Sequence, residues 1–127
     1  MAGPAPKPRP VVLLVDDEPA LLDSMCLTLK GDYEIETATS AEDAILLAGT
    51  RAFDVVVCDQ LLPGAQGLDF LMQAAEQFPK MRRILLTGYM NPELLTRGMA
   101  VAELSSYVLK PASPADLKQA IDRALAK

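Results

Sequence analysis

The chain contains no histidine. That absence removes Ser-His-Asp and Cys-His nucleophilic catalysis, His-ligated zinc and any role as a phosphohistidine carrier. Cysteine is scarce as well. Cys26 and Cys58 stand far apart, without CxxC spacing, and read as two reduced, buried thiols of a cytoplasmic protein. No apolar stretch reaches the length that crosses a membrane. The run that begins at Val11 ends at Asp16, too short for a signal-peptide core despite Lys7 and Arg9 ahead of it. The expected localisation is therefore cytoplasmic. Clustered basic charge is missing too. The 12 Lys and Arg residues are spread along a chain of net charge -5, and direct nucleic-acid binding needs a basic patch that they do not form.

What is present fits one domain: 127 residues, 50% of them hydrophobic, suffice for a single buried core. Residues 1–10 carry Pro4, Pro6, Pro8 and Pro10 without periodicity and read as a disordered leader, leaving 11–127 as the folded domain. From there short apolar runs alternate with amphipathic stretches. Residues 11–15 predict a strand buried on both faces. A helix follows over 19–30, with Leu21, Leu22, Met25 and Leu29 at helical spacing and Gly31 as its stop. Residues 33–37 predict a strand nearer the sheet edge. Ser40 and Asp43 form a capping-box-like start to a helix reaching Ala48. A second strand spans 53–58, apolar apart from Asp54. Helix 67–78 follows, with Leu68, Leu71, Met72 and Ala75 on one face, and then a strand over 84–86. Asn91 and Pro92 are an N-cap and first-turn pair, 106–109 a further strand, and Ser113-Pro114 opens a last helix to about Ala126. Five strand–helix units, (βα)5, predict an α/β fold with a doubly wound parallel sheet.

In such a sheet ligands bind beyond the carboxyl ends of the strands. Asp16, Asp17 and Glu18 follow the first strand, Asp59 the third, Thr87 and Gly88 the fourth, Lys110 and Pro111 the fifth. Converging there, they bring carboxylates, a hydroxyl, an unobstructed backbone N–H and an ammonium. Clustered carboxylates repel one another without a cation, and an oxygen-rich site free of imidazole and thiol selects a hard ion, with Mg2+ the ordinary candidate. Thr87 and Lys110 are donors suited to a phosphoryl group, whose transfer depends mainly on positioning and charge neutralisation. Singly each element has a plainer reading. An Asp pair is commonly a helix cap, a Thr commonly ends a strand, and Lys-Pro is an ordinary dipeptide. Their succession at consecutive strand ends is what favours a site.

The set Val15-Asp16-Asp17-Glu18, Asp59-Gln-Leu-Leu-Pro63 with Gly67, Leu-Leu-Thr87-Gly88 and Tyr107-Val-Leu-Lys110-Pro111 resembles the receiver domain of two-component systems, across essentially the whole chain from Val11 to Ala126. The resemblance implies a flavodoxin-like sheet of strand order 2-1-3-4-5. It implies that Asp59 is the phosphoacceptor and that Asp16, Asp17, Asp59 and the backbone carbonyl of Leu61 serve the metal, Asp16 largely through water. It implies that Lys110 pairs with phosphoryl oxygens, that Thr87 and the Gly88 N–H hydrogen-bond them, and that Lys110-Pro111 is a cis peptide. Thr87 and Tyr107 would be the switch pair, reshaping the surface of the fourth helix, fifth strand and fifth helix. The implied partner is a sensor histidine kinase or phosphotransfer protein, with an output domain possible beyond this chain. The implied state is a monomer or a phosphorylation-dependent dimer. The role is that of a signalling phosphoacceptor rather than an enzyme.

Departures from the family pattern carry information. Leu61, where many receivers have a polar residue, and Tyr89 are expected over the phosphoryl's access route, impeding the attacking water. The segment from Met99 to Ser106 differs from the compact Gly-Ala-x-x-Tyr approach, so the fourth helix is expected to be longer or differently ended. Ser105-Ser106 lacks the acidic pair of winged-helix regulators, and their dimer is not expected. The Leu-Thr-Gly-Tyr89 run is similar to receivers attached to HD-GYP phosphodiesterases and to some hydrogenase regulators, although the Trp common after Lys-Pro there is Ala112 here. Two rivals remain. A haloacid-dehalogenase phosphatase also uses an Asp nucleophile, but carries a second Asp where Leu61 stands. A degenerate receiver acting as a fixed interaction module is opposed by intact Asp16, Asp17, Asp59, Thr87 and Lys110.

Overall fold

The computed structural model describes residues 9–88 and 92–126. In chain order the elements are β1 (Val11–Val15), α1 (Pro19–Leu29), β2 (Glu34–Ala38), α2 (Ala41–Thr50), β3 (Val55–Asp59), a hairpin of β4 (Leu61–Leu62) and β5 (Ala65–Gln66), α3 (Gly67–Gln77), β6 (Arg82–Thr87), α4 (Pro92–Val101), β7 (Ser106–Leu109) and α5 (Pro114–Leu125). The main sheet has the order β2-β1-β3-β6-β7 with every pairing parallel. Counting its strands alone, that is the flavodoxin-like order 2-1-3-4-5. The chain is anchored just ahead of the expected boundary at Val11. Arg9 donates to the Lys30 carbonyl at 2.6 Å, and the Pro10 carbonyl accepts from Glu34 N at 2.9 Å. The remainder of the expected leader lies outside the described residues.

Strand alternation builds two cores. Val12, Leu14, Val55, Val57, Ile84 and Leu86 point to the side covered by Leu22, Met25 and Leu29 of α1 and Leu117 and Ile121 of α5. Leu13, Val15, Val56, Cys58 and Leu85 point to the opposite side, against Ala44 and Ala48 of α2 and Phe70, Leu71 and Ala74 of α3. Because both faces are covered, β1 is apolar throughout and β3 is apolar up to Asp59, which is why they are legible as unbroken runs.

Several boundaries differ from expectation for identifiable reasons. The stripe of α3 is rotated: Phe70 and Ala74 are buried, Met72 is exposed and Ala75 only half-buried. Helix α1 ends at Leu29 with Lys30 as C-cap, one residue short of the stop expected at Gly31. At α2, Ser40 Oγ accepts from Asp43 N, and the helix continues to Thr50. The complete reciprocal capping box forms instead at Ser113 and Asp116. Cys58 is buried, but Cys26 is only half-buried on the flank of α1, correcting the expectation of two buried thiols. Both are free; burial, then the negative charge of Asp59, holds the Cys58 thiol well above its ordinary range.

The largest departure is β6, which begins two residues early and takes in both arginines. Arg83 is buried because three backbone carbonyls receive its guanidinium: Met81 at 2.6 Å, Ala102 at 2.8 Å and Glu103 at 3.3 Å. Burial lowers its pKa, opposed by the charge of Glu103. These bonds fix how α4 ends, at Val101, with Ala102 and Leu104 tucked into the core. Glu103 between them has φ 48, a left-handed backbone costly for any residue but glycine. Its carboxylate lies 3.8 Å from Arg83 but is largely exposed, so that pair contributes little. Glu103→Gly is therefore expected to raise stability by about 0.5–1 kcal/mol, relief of backbone strain exceeding glycine's entropic cost. A urea midpoint that fails to rise would count against strain at this residue.

Candidate functional site

Parallel winding delivers the carboxyl ends of the sheet strands to one edge. Asp16 and Asp17 follow β1, Asp59 is the last residue of β3, Thr87 the last of β6, and Lys110 follows β7 directly. Asp16 is wholly buried. Its backbone N–H donates to the Ala38 carbonyl at 3.1 Å, and its Oδ1 accepts from Glu18 N at 3.0 Å. Its Oδ2 has no hydrogen-bond partner. Lys110 Nζ lies 3.0 Å from Asp59 Oδ1 and 3.6 Å from Asp16 Oδ2, so one ammonium spans the two buried carboxylates. The backbone holds Lys110 in place, since its N–H donates to the Thr87 carbonyl at 2.9 Å. The Lys110-Pro111 peptide is cis.

Burial raises the pKa of Asp59, and the neighbouring charges of Asp16 and Asp17 push the same way, against the hydrogen bond and charge of Lys110. For Lys110 burial acts to lower the pKa. The hydrogen bond and charge of Asp59, then Asp16, outweigh it, and the ammonium's pKa is raised. Among the described residues the site thus gathers more carboxylates than the Lys110 ammonium can pair with. The carboxylate oxygens of Asp16, Asp17 and Glu18 lie within 4.8 Å of one another. A donor set of oxygens alone, including a buried Asp16 oxygen that accepts no hydrogen bond and faces the Lys110 ammonium at 3.6 Å, fits a hard divalent cation such as Mg2+.

The other anticipated residues fall around this centre. Thr87 is buried at the end of β6. Gly88 borders Lys110: an added Cβ would meet the Lys110 Cβ at 3.7 Å. Leu61 stands in the hairpin after Asp59 with 76% of its surface exposed. Tyr107 is exposed on the edge strand β7. Tyr89 lies outside the described residues, as does Asn91, the N-cap expected for α4.

Two residues of the quoted motif make contacts that were not anticipated. Gly67 is hemmed in: a Cβ there would lie 2.0 Å from the Asp59 carbonyl oxygen, while its N–H donates to the Gln60 carbonyl at 2.7 Å. Gln60 itself is buried, unusual for an uncharged polar side chain beside a solvent-facing loop. Its Oε1 accepts from Leu68 N at 3.0 Å, and its Nε2 donates to Gln66 Oε1 at 3.4 Å. The hairpin between them turns through Pro63 and Gly64, the latter at φ 69, the type II signature.

The family described as "Response regulator receiver domain" matches residues 12–122. The chain belongs to this family. It is 34% identical over 114 residues to the hydrogenase transcriptional regulatory protein HoxA of Cupriavidus necator, covering 90% of this chain and 24% of that protein. It is 35% identical over 116 residues to the alginate biosynthesis transcriptional regulatory protein AlgB of Pseudomonas aeruginosa, covering 90% of this chain and 25% of that one. The receiver chain thus spans about a quarter of the length of these curated relatives. Among solved structures it superposes on the signal receiver domain of an HD domain-containing protein from Pseudomonas fluorescens with TM-score 0.87 and 29% identity, covering 99% of this chain and 93% of that one. The chain is a receiver domain of the two-component response-regulator kind, a class of signalling domains. Among the described residues no helix is long and apolar enough to cross a membrane.

Proposed function

We propose that this receiver accepts a phosphoryl group on Asp59 from a phosphohistidine of a sensor histidine kinase or phosphotransfer protein, in the cytoplasm. The observation that carries this is the Lys110 ammonium shared between buried Asp59 and Asp16 at the sheet's carboxyl edge. Asp59 attacks phosphorus: a P–O bond forms as the P–N bond to the imidazole breaks, and the imidazole departs with its electron pair and takes up a proton. Asp16, Asp17, Asp59 and the Leu61 carbonyl would hold Mg2+, which when bound would neutralise charge on the phosphoryl oxygens. Lys110 stays in place to pair with those oxygens, and the Thr87 hydroxyl and Gly88 N–H hydrogen-bond them. Hydrolysis later returns the carboxylate, so the domain turns over only its own modification. The added charge would draw Thr87 inward and turn Tyr107 from exposed to buried, altering the α4-β7-α5 surface read by an output domain or a second copy.

Beryllofluoride provides the test. With Mg2+ it is expected to raise the melting temperature, and with chelator it is expected to have no effect. No response in the presence of Mg2+ would favour an inert interaction module. The exposed Leu61 leads to a further expectation, that phospho-Asp59 is comparatively long-lived because the apolar side chain hinders water. Leu61→Asn should speed loss of the phosphoryl group by about threefold, under 1 kcal/mol in the barrier, and adding Tyr89→Glu should speed it further. A decay no faster than the parent's contradicts this role.

A further inference from the structure

We infer that Gln60 is a positioning residue for the metal-binding loop, an inference that rests on the proposed Mg2+ site. Every polar group of Gln60 is engaged. Its N–H donates to the Leu86 carbonyl of β6 at 2.9 Å, and its carbonyl accepts from Gly67 N at 2.7 Å. Its side-chain oxygen accepts from Leu68 N at 3.0 Å, and its side-chain nitrogen donates to Gln66. Helix α3 has Gln66 at its N-cap position, and that side chain makes no capping bond. The free N–H at the helix start is satisfied instead by the residue that follows β3. The segment from Asp59 to Leu68 is thereby closed at its base, with Asp59 and the Leu61 carbonyl on either side of the closing residue. Gln60 is not among the residues proposed to hold the metal or the phosphoryl group. It acts through the backbone on both sides of it, as the groups behind metal ligands do elsewhere.

The experiment separates positioning from simple helix capping. Mg2+ affinity of the purified chain is measured by calorimetry, alongside its melting temperature. Gln60→Met, which keeps the length and removes the accepting oxygen, is expected to weaken Mg2+ binding about tenfold. Gln60→Glu, which keeps that oxygen, is expected to bind at least as tightly as the parent. Adding Gln66→Ser to Gln60→Met gives α3 a local cap and is expected to recover melting temperature but not affinity. It also serves if Gln60→Met alone folds poorly. The inference is overturned if Gln60→Met binds Mg2+ like the parent, if Gln60→Glu loses affinity equally, or if the added serine restores affinity together with stability. A parent that binds no Mg2+ removes the underlying metal site and this inference with it, an outcome distinct from tight binding by both parent and Gln60→Met.

Discussion

Asp59→Asn is expected to take up no phosphoryl group from a small-molecule donor such as acetyl phosphate, yet to melt at a higher temperature than the parent when Mg2+ is removed. The first half follows from losing the carboxylate that lies closer to Lys110, at 3.0 Å against 3.6 Å for Asp16. The second follows from electrostatics. Asp59 is buried and shares its surroundings with Asp16 and Asp17, so its folded-state pKa is raised despite Lys110. A raised carboxylate pKa means that ionisation costs folding free energy. This contribution is absent while the group is protonated in both states. It develops as pH rises above the unfolded carboxylate's pKa, and it is fully present once pH exceeds the folded one. At neutral pH the neutral amide should avoid it, with a gain of about 1 kcal/mol, since Lys110 retains Asp16 as a partner. The advantage should shrink as pH falls below the carboxylate range and shrink again when Mg2+ is supplied to the parent. Melting curves in chelator across pH check both signs. A variant less stable than the parent at neutral pH without Mg2+ would mean that the Lys110 pair outweighs the repulsion.

Gly67→Ala is expected to be the most damaging glycine-to-alanine change among the described glycines. The new carbon would sit 2.0 Å from the Asp59 carbonyl oxygen and 2.8 Å from its carbonyl carbon, both backbone atoms that cannot rotate away. Relief requires the start of α3 to retreat from the end of β3, stretching the Gly67–Gln60 bond and moving the acceptor itself. A loss of about 3 kcal/mol is expected, at the upper end for overpacking because the obstruction is backbone. Gly31→Ala makes the control: a Cβ there meets nothing within 4 Å. Denaturant midpoints of the two variants should differ widely, and equal midpoints would show that the close approach at Gly67 relaxes without cost.

The reach of sequence reasoning follows from what kind of interaction placed each residue. Asp16, Asp59, Thr87 and Lys110 were legible because a parallel sheet sends all its carboxyl ends to one edge, so adjacency follows from strand order without knowledge of side chains. The two cores were legible for a similar reason, as strands covered on both faces read as unbroken apolar runs. The likeness of the Leu-Thr-Gly-Tyr89 run to receivers of hydrogenase regulators agrees with a relative such as HoxA. Arg83 was misread because a charged residue looks like a strand border. Only the distant Ala102 and Glu103 carbonyls make its burial tolerable. Gln60 escaped for a related reason. A helix cap is sought beside the helix, and this one arrives from the residue that follows β3, across the hairpin. Gly67 was recognised as a helix start, but its closeness to the Asp59 backbone is a tertiary fact with no local signal.

The central claim, that Asp59 is the phosphoacceptor of a metal-dependent site, is tested most directly by locating the phosphoryl group. The parent chain is incubated with a small-molecule phosphodonor in Mg2+ or in chelator, reduced with borohydride to trap the acyl phosphate, and mapped by fragment mass spectrometry. The account predicts a single modified carboxylate, Asp59, in the Mg2+ sample alone. Modification at Asp16 or Asp17, or equal modification of Asp59 in chelator, would contradict it.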